Sequence, residues 1–141
     1  MMDSREFVTS LSDLFERDRV TAAVLEEGAP NPERDPATYA LLRGLMPEGT
    51  SAHEVEAGML LAELFACHPH HGGLTLPAAI ERYCQQHPQQ QATIEARFRS
   101  LLESSPEQRG SHLLYLVQKL GRDRIALDWV ALLDALLQRS F

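Results

Sequence analysis

Residues 93–137 constrain the fold more than any other part of the chain, because three apolar-periodic segments follow one another there with only short turns between them. In the first, Ile94, Phe98, Leu101 and Leu102 fall at i, i+4, i+7 and i+8, a spacing that puts all four on one face of a helix. Ser105, Pro106 and Gln108 then predict a new helix start: a serine N-cap, a proline at the first helical position, and a glutamine placed to complete a capping box. The second segment carries Leu113, Leu116, Val117 and Leu120 on one face and is predicted to stop at Gly121, a C-terminal glycine. A short basic loop, Arg122-Asp123-Arg124, leads to a third helix predicted from Leu127, with Trp129, Leu132, Leu133, Leu136 and Leu137 as its apolar stripe. Three consecutive amphipathic helices on short turns specify an antiparallel bundle.

The rest of the chain reads the same way. A first helix is expected from Asp3 to about Glu27, broken near residues 17–19, with Phe7, Leu11, Leu14 and Phe15 on its buried face. Gly28, Pro30 and Pro32 break the pattern. A short helix from Pro36 to about Gly44 should bury Tyr39 and Leu42. Ser51 and Glu54 make a second capping box, opening a strong helix that reaches Cys67 and buries Val55, Met59, Ala62 and Phe65. Thr75 is the expected N-cap of a helix whose core stripe is Ala79, Ile80 and Tyr83. The fold class is therefore all-α, a bundle of about six to eight helices. It forms either one compact domain or two small lobes, an N-terminal one over 1–72 and a C-terminal bundle over 73–141. No segment approaches the ~18 uninterrupted apolar residues of a membrane span. The acidic N-terminus is no signal peptide, and two cysteines without a secretory signal indicate a reducing cytoplasm.

Charge narrows the function. The chain carries a net −7, but residues 1–80 hold 5 basic and 13 acidic side chains while residues 81–124 hold 7 and 5. An autonomous nucleic-acid binder needs a strongly basic surface, because phosphate neutralisation supplies most of its affinity. Any such contact here must come from local clusters or from a groove completed by partners. Arg82, Arg97, Arg99, Arg109, Lys119, Arg122 and Arg124 make up the one net-positive portion, and arginine grips phosphate through paired hydrogen bonds. Arg109 and the Arg122/Arg124 pair lie about a helix length apart and need not share a patch. Arg17 and Arg19 either touch a backbone too or balance Glu16 and Asp18 on a solvated surface.

Two other chemistries have partial support in the residues. Cys67, His68, His70 and His71, followed by Cys84 and His87, could in principle assemble a zinc site. Against this, no Cys-x-x-Cys is present and both cysteines end apolar stripes, where free thiols behave as small hydrophobes. His68 to His71 straddle a proline in a loop, where solvated histidines are ordinary. Catalysis lacks its usual parts: no glycine-rich phosphate loop, nucleophile elbow or His-Glu-x-x-His, and no clustered carboxylates for nuclease metal ions. The expectation is a non-catalytic subunit without a cofactor.

A family resemblance is carried by Arg97-Phe98 with Leu101-Leu102, by the basic turn, and above all by Ala126-Leu127-Asp128-Trp129 running into Leu132-Leu133 and Leu136-Leu137. Earlier residues agree in order: Tyr39 to Leu42 before Pro47, the helix ending at His68-Pro69, and the Gly72-Gly73 loop before Leu76-Pro77. Over roughly residues 35–137 the chain resembles the small subunit of the type I-E CRISPR surveillance complex Cascade, the CasB family. The resemblance implies an all-α antiviral-defence subunit without enzyme activity. It would be present as a pair, bridging the backbone and large subunits around crRNA and helping to hold the target and displaced DNA strands of the R-loop. Carried onto this chain, it points to Arg97, Arg99, Lys119, Arg122 and Arg124 as strand contacts. Trp129, in phase with Leu132, Leu133 and Leu136, reads as a core anchor rather than a base-stacking residue. The chain departs from the family in three places. The basic, aromatic tail beyond the last leucine pair reads Gln138 to Phe141, a basic position in the penultimate helix is Leu114, and the N-terminal helix is acidic. These bear on direct strand binding more than on membership. The competing reading is a helical protein-interaction adaptor without a nucleic-acid role, and behind it a small zinc-binding helical module.

Overall fold

A computed structural model describes residues 2–28, 30–139 and 141. Among them eight α-helices are formed: α1 (Ser4–Arg17), α2 (Arg19–Glu26), α3 (Pro36–Arg43), α4 (Ala52–Cys67), α5 (Leu76–Gln86), α6 (Gln91–Glu103), α7 (Pro106–Arg122) and α8 (Trp129–Gln138). The fold is all-α. Its one extended element, β1 (His71–Leu74), pairs only with Leu127: Leu127 N–H donates to His70 O at 3.3 Å and Asp128 N–H to Leu74 O at 2.8 Å.

Helix α4 is the hub, packing against α2, α3, α7 and α8. Ala57, Gly58, Met59, Leu61, Ala62, Leu64, Phe65 and Ala66 are all buried, so it is covered on nearly every side, as an apolar-all-round helix must be. Its start is fixed by the capping box expected from sequence: Ser51 Oγ accepts from Glu54 N–H, and Glu54 Oε1 accepts from Ser51 N–H. Glu54 also takes the Met2 N–H at 2.9 Å, tying the N-terminal segment to α4. These backbone donors, Met2 first, hold the Glu54 carboxyl below its usual range. One cluster of buried residues runs from Phe7 on α1 through α4 and α7 to Leu136 on α8.

The break in the first helix falls at Asp18, which leaves helical geometry (φ −132°, ψ 88°) and caps α2. Its carboxylate accepts from Thr21 N–H at 3.0 Å and Thr21 Oγ1 at 2.8 Å, and these bonds lower its pKa. On α3, Leu42 is buried but Tyr39 only half-buried, and on α4 Val55 is likewise half-buried.

Other expectations are corrected by the structure. Ser105 stands at the N-cap of α7 with Pro106 at the first position, yet its side chain makes no cap bond, so the predicted box is not formed; Ser105 O instead accepts from Gln108 and Arg109 N–H. Gly121 does not end α7, which continues through Arg122. A Cβ at Gly121 would lie 3.4 Å from His68 Cβ and Cγ, so the glycine serves close approach to α4. The third helix begins at Trp129 rather than Leu127, because Leu127 is spent on pairing with β1 and Asp128 caps the helix, accepting from Ala131 N–H at 2.9 Å. Leu102 is 54% exposed, since α6 is covered on one side only, by α5 and α7.

Candidate nucleic-acid interface

Helices α6 and α7 pack together and carry most of the net-positive segment. Tyr115, outside the residues expected from sequence, lies between them. The Arg97 guanidinium stands 4.1 Å from the centre of its ring and the Lys119 ammonium 5.5 Å from it, both within cation–π range. Tyr115 and Lys119 are four residues apart on one helix, a spacing that puts them on the same face. That spacing was the available signal. Arg99 is exposed on α6.

The basic turn beyond Lys119 is held by a second set of contacts. Asp123 takes the His87 Nε2 at 2.5 Å, and the His87 ring stacks on Tyr83 at 4.4 Å. Tyr83 donates its hydroxyl to Gln90 Oε1 at 2.8 Å; burial, then the nearby Asp123 and Tyr115, push its pKa up, so it stays a neutral phenol. The Arg122 charge acts on the same hydroxyl in the opposite sense. Arg122 and Arg124 flank the anchored Asp123 and are both exposed.

Arg124 has φ 55°, the left-handed region. Arg124 N–H donates to Gly121 O at 3.1 Å and Ile125 N–H to Leu120 O at 3.0 Å, the two bonds of a Schellman motif. Glycine is the usual residue at this position, because a Cβ there costs about 1–2 kcal/mol. The chain spends that on a cation.

The remaining predicted cations lie elsewhere. Arg109 is in the first turn of α7, roughly 20 Å from Arg122 at ~1.5 Å per residue. It is half-buried with its guanidinium 5.6 Å from the Phe141 ring. Arg17 and Arg19 are exposed on either side of Asp18, whose carboxylate is used in capping rather than in pairing with them.

The Cys/His tract resolves into separate jobs. His68, expected in a solvated loop, is 1% exposed; its Nε2 donates to Ile125 O at 2.5 Å, bracing the end of α4 against the connection into α8. His87 is taken by Asp123. Cys84 is buried and Cys67 half-buried, and burial pushes both thiols up, away from the thiolate that metal binding needs. Among the described residues no three His, Cys, Asp or Glu side chains stand together as a metal-ligand set. No helix among them is long and apolar enough to cross a membrane.

What stands out is thus an all-α protein whose grouped candidate side chains are cations on α6, α7 and the turn after α7. The family model for CRISPR-associated protein Cse2 matches residues 21–140, and the chain belongs to that family, the small subunit of type I-E Cascade. It is a subunit of a CRISPR Cascade complex, from a family of non-catalytic components. No curated protein and no solved structure matches the chain.

Proposed function

We propose that this Cascade subunit stabilises the R-loop through sequence-neutral contacts to DNA backbones, made by Arg97, Arg99, Lys119, Arg122 and Arg124. Guide pairing supplies sequence specificity, and strand exchange is close to balanced, so a few backbone contacts suffice to tip it. The observation that carries the reading is Arg124. A left-handed backbone position that favours glycine holds an exposed arginine, beside Arg122 and next to an aspartate pinned by His87. Strain of this kind marks functional positions when the surroundings enforce it. The grouping of Arg97 and Lys119 on one ring supports the same face.

In this reading the chain has no catalytic role. It works in the cytoplasm beside a second copy of itself, bridging the backbone and large subunits around crRNA. The acidic N-terminal lobe, residues 1–72, faces protein partners, since its charge would repel phosphate, and the C-terminal bundle, residues 73–141, faces the strands. Arg109, Arg17 and Arg19 are secondary candidates for the same contact.

Arg122→Glu with Arg124→Glu is expected to leave the fold intact and weaken R-loop formation by the assembled complex at least tenfold at 0.15 M salt, about two phosphate contacts being lost and reversed. Arg124→Gly separates charge from backbone. It should raise stability by up to about 1 kcal/mol while still weakening the R-loop. Unchanged target binding by both variants, measured by gel shift of the complex on duplex target, would remove these residues from the interface.

A further inference from the structure

We infer that Tyr115 is a positioning residue for the strand contact, its ring holding Arg97 and Lys119 together before any phosphate arrives. This rests on the reading of those two cations as phosphate-binding. They come from different helices, and both address one ring, at 4.1 Å and 5.5 Å from its centre. The two charges therefore lie within about 10 Å of each other, the sum of those distances. Charges along one strand of a duplex repeat every ~3.4 Å of helix axis, so a single short run of phosphates can meet both.

The chemistry of the holding contact matters. Among the described residues neither cation is in an ion pair. A carboxylate partner would have to be displaced by an incoming phosphate. An aromatic face attracts the cation without occupying the N–H edge that grips phosphate, so the contact and the ligand do not compete. It also restrains two long side chains in advance, and each such side chain left free would weaken binding by about two- to tenfold on being immobilised. Both cations are half-buried, whereas Arg99, Arg122 and Arg124 are exposed.

The test is a titration of fluorescein-labelled duplex target with the complex assembled around the full chain over a series of KCl concentrations, read by anisotropy. Tyr115→Leu and Tyr115→Gln free both side chains and should raise Kd about four- to hundredfold at every salt concentration. The slope of log K against log salt should not change, because the same phosphates are still neutralised. Tyr115→Phe should bind as the wild type does. Arg97→Ala and Lys119→Ala should instead flatten the slope. Wild-type affinity in both non-aromatic variants overturns the inference. So does a Tyr115→Phe variant as weak as Tyr115→Leu, which would make the hydroxyl a direct phosphate ligand. Loss of the folded state in both non-aromatic variants, by thermal melt, overturns it in favour of a structural role. If Arg97→Ala and Lys119→Ala change neither affinity nor slope, the underlying interface reading fails with it.

Discussion

Trp129→Ala is expected to destabilise the protein by about 3–5 kcal/mol, the range for emptying a buried aromatic site. At 141 residues that lowers the thermal midpoint by roughly 10–20 °C. Trp129 is 0% exposed, and its ring meets Phe65 edge-on at 5.5 Å and His68 at 6.1 Å. Its indole N–H donates to His70 O at 3.1 Å, so alanine also removes that bond and leaves the carbonyl with the longer one from Leu127 N–H alone. The residue joins α8, the hub helix α4 and the segment leading into β1. Trp129→Phe keeps most of the apolar volume and should cost about half as much. A fall of less than about 1 kcal/mol for Trp129→Ala, by urea unfolding, would contradict this account of the core.

Lowering the pH from 7.5 to 5 is expected to cost stability chiefly through His68. Nε2 donates to Ile125 O, so in the neutral ring Nδ1 carries no proton, and Nδ1 is buried without a hydrogen-bond partner among the described residues. Protonation would put an N–H there with nothing to receive it. Burial, with His70 at 5.3 Å adding repulsion, lowers the pKa below its ordinary 6.5 despite the opposing bond to Ile125. The unfolded chain therefore takes up a proton near pH 6.5 that the folded protein refuses. Stability is fully present above that pH and falls as pH drops toward the folded value, by at most about 1.4 kcal/mol per pH unit. Asp18 and Glu54, both lowered by backbone hydrogen bonds, add losses only below about pH 4.5. His68→Gln can keep the bond to Ile125 O but does not titrate. It should start less stable at pH 7.5 and show a flatter decline, and parallel pH profiles would mean that His68 is not the group responsible.

Local chemistry made most of the fold legible. Every residue of the Phe7/Leu11/Leu14/Phe15 and Leu113/Leu116/Val117/Leu120 stripes is buried, because a 3.6-residue period with one wet side admits few alternatives. The errors lie where tertiary contacts overrode a local signal. Gly121 resembles a C-cap glycine but lies inside α7 packed against His68, and the left-handed position passed to Arg124. Leu127 continues a helical pattern but is claimed by β1. That strand was invisible because Gly72 and Gly73 have no β preference; Gly72 is there because a Cβ would lie 2.6 Å from Ala126 Cβ. At the candidate interface the arginines were easy to name and their grouping was not. Only folding puts Arg97 and Lys119 on one tyrosine while Arg109 sits at the other end of α7.

The central claim is that this subunit holds strands open. The most direct measurement is the lifetime of the R-loop in complexes assembled with the chain, without it, and with the Arg122→Glu/Arg124→Glu form. The account predicts that complexes lacking the chain still carry crRNA but lose the R-loop at least tenfold faster at 0.15 M salt, with the charge-reversed form close to the complex lacking it. Equal lifetimes in all three would contradict it and leave the chain with a purely architectural place in the complex.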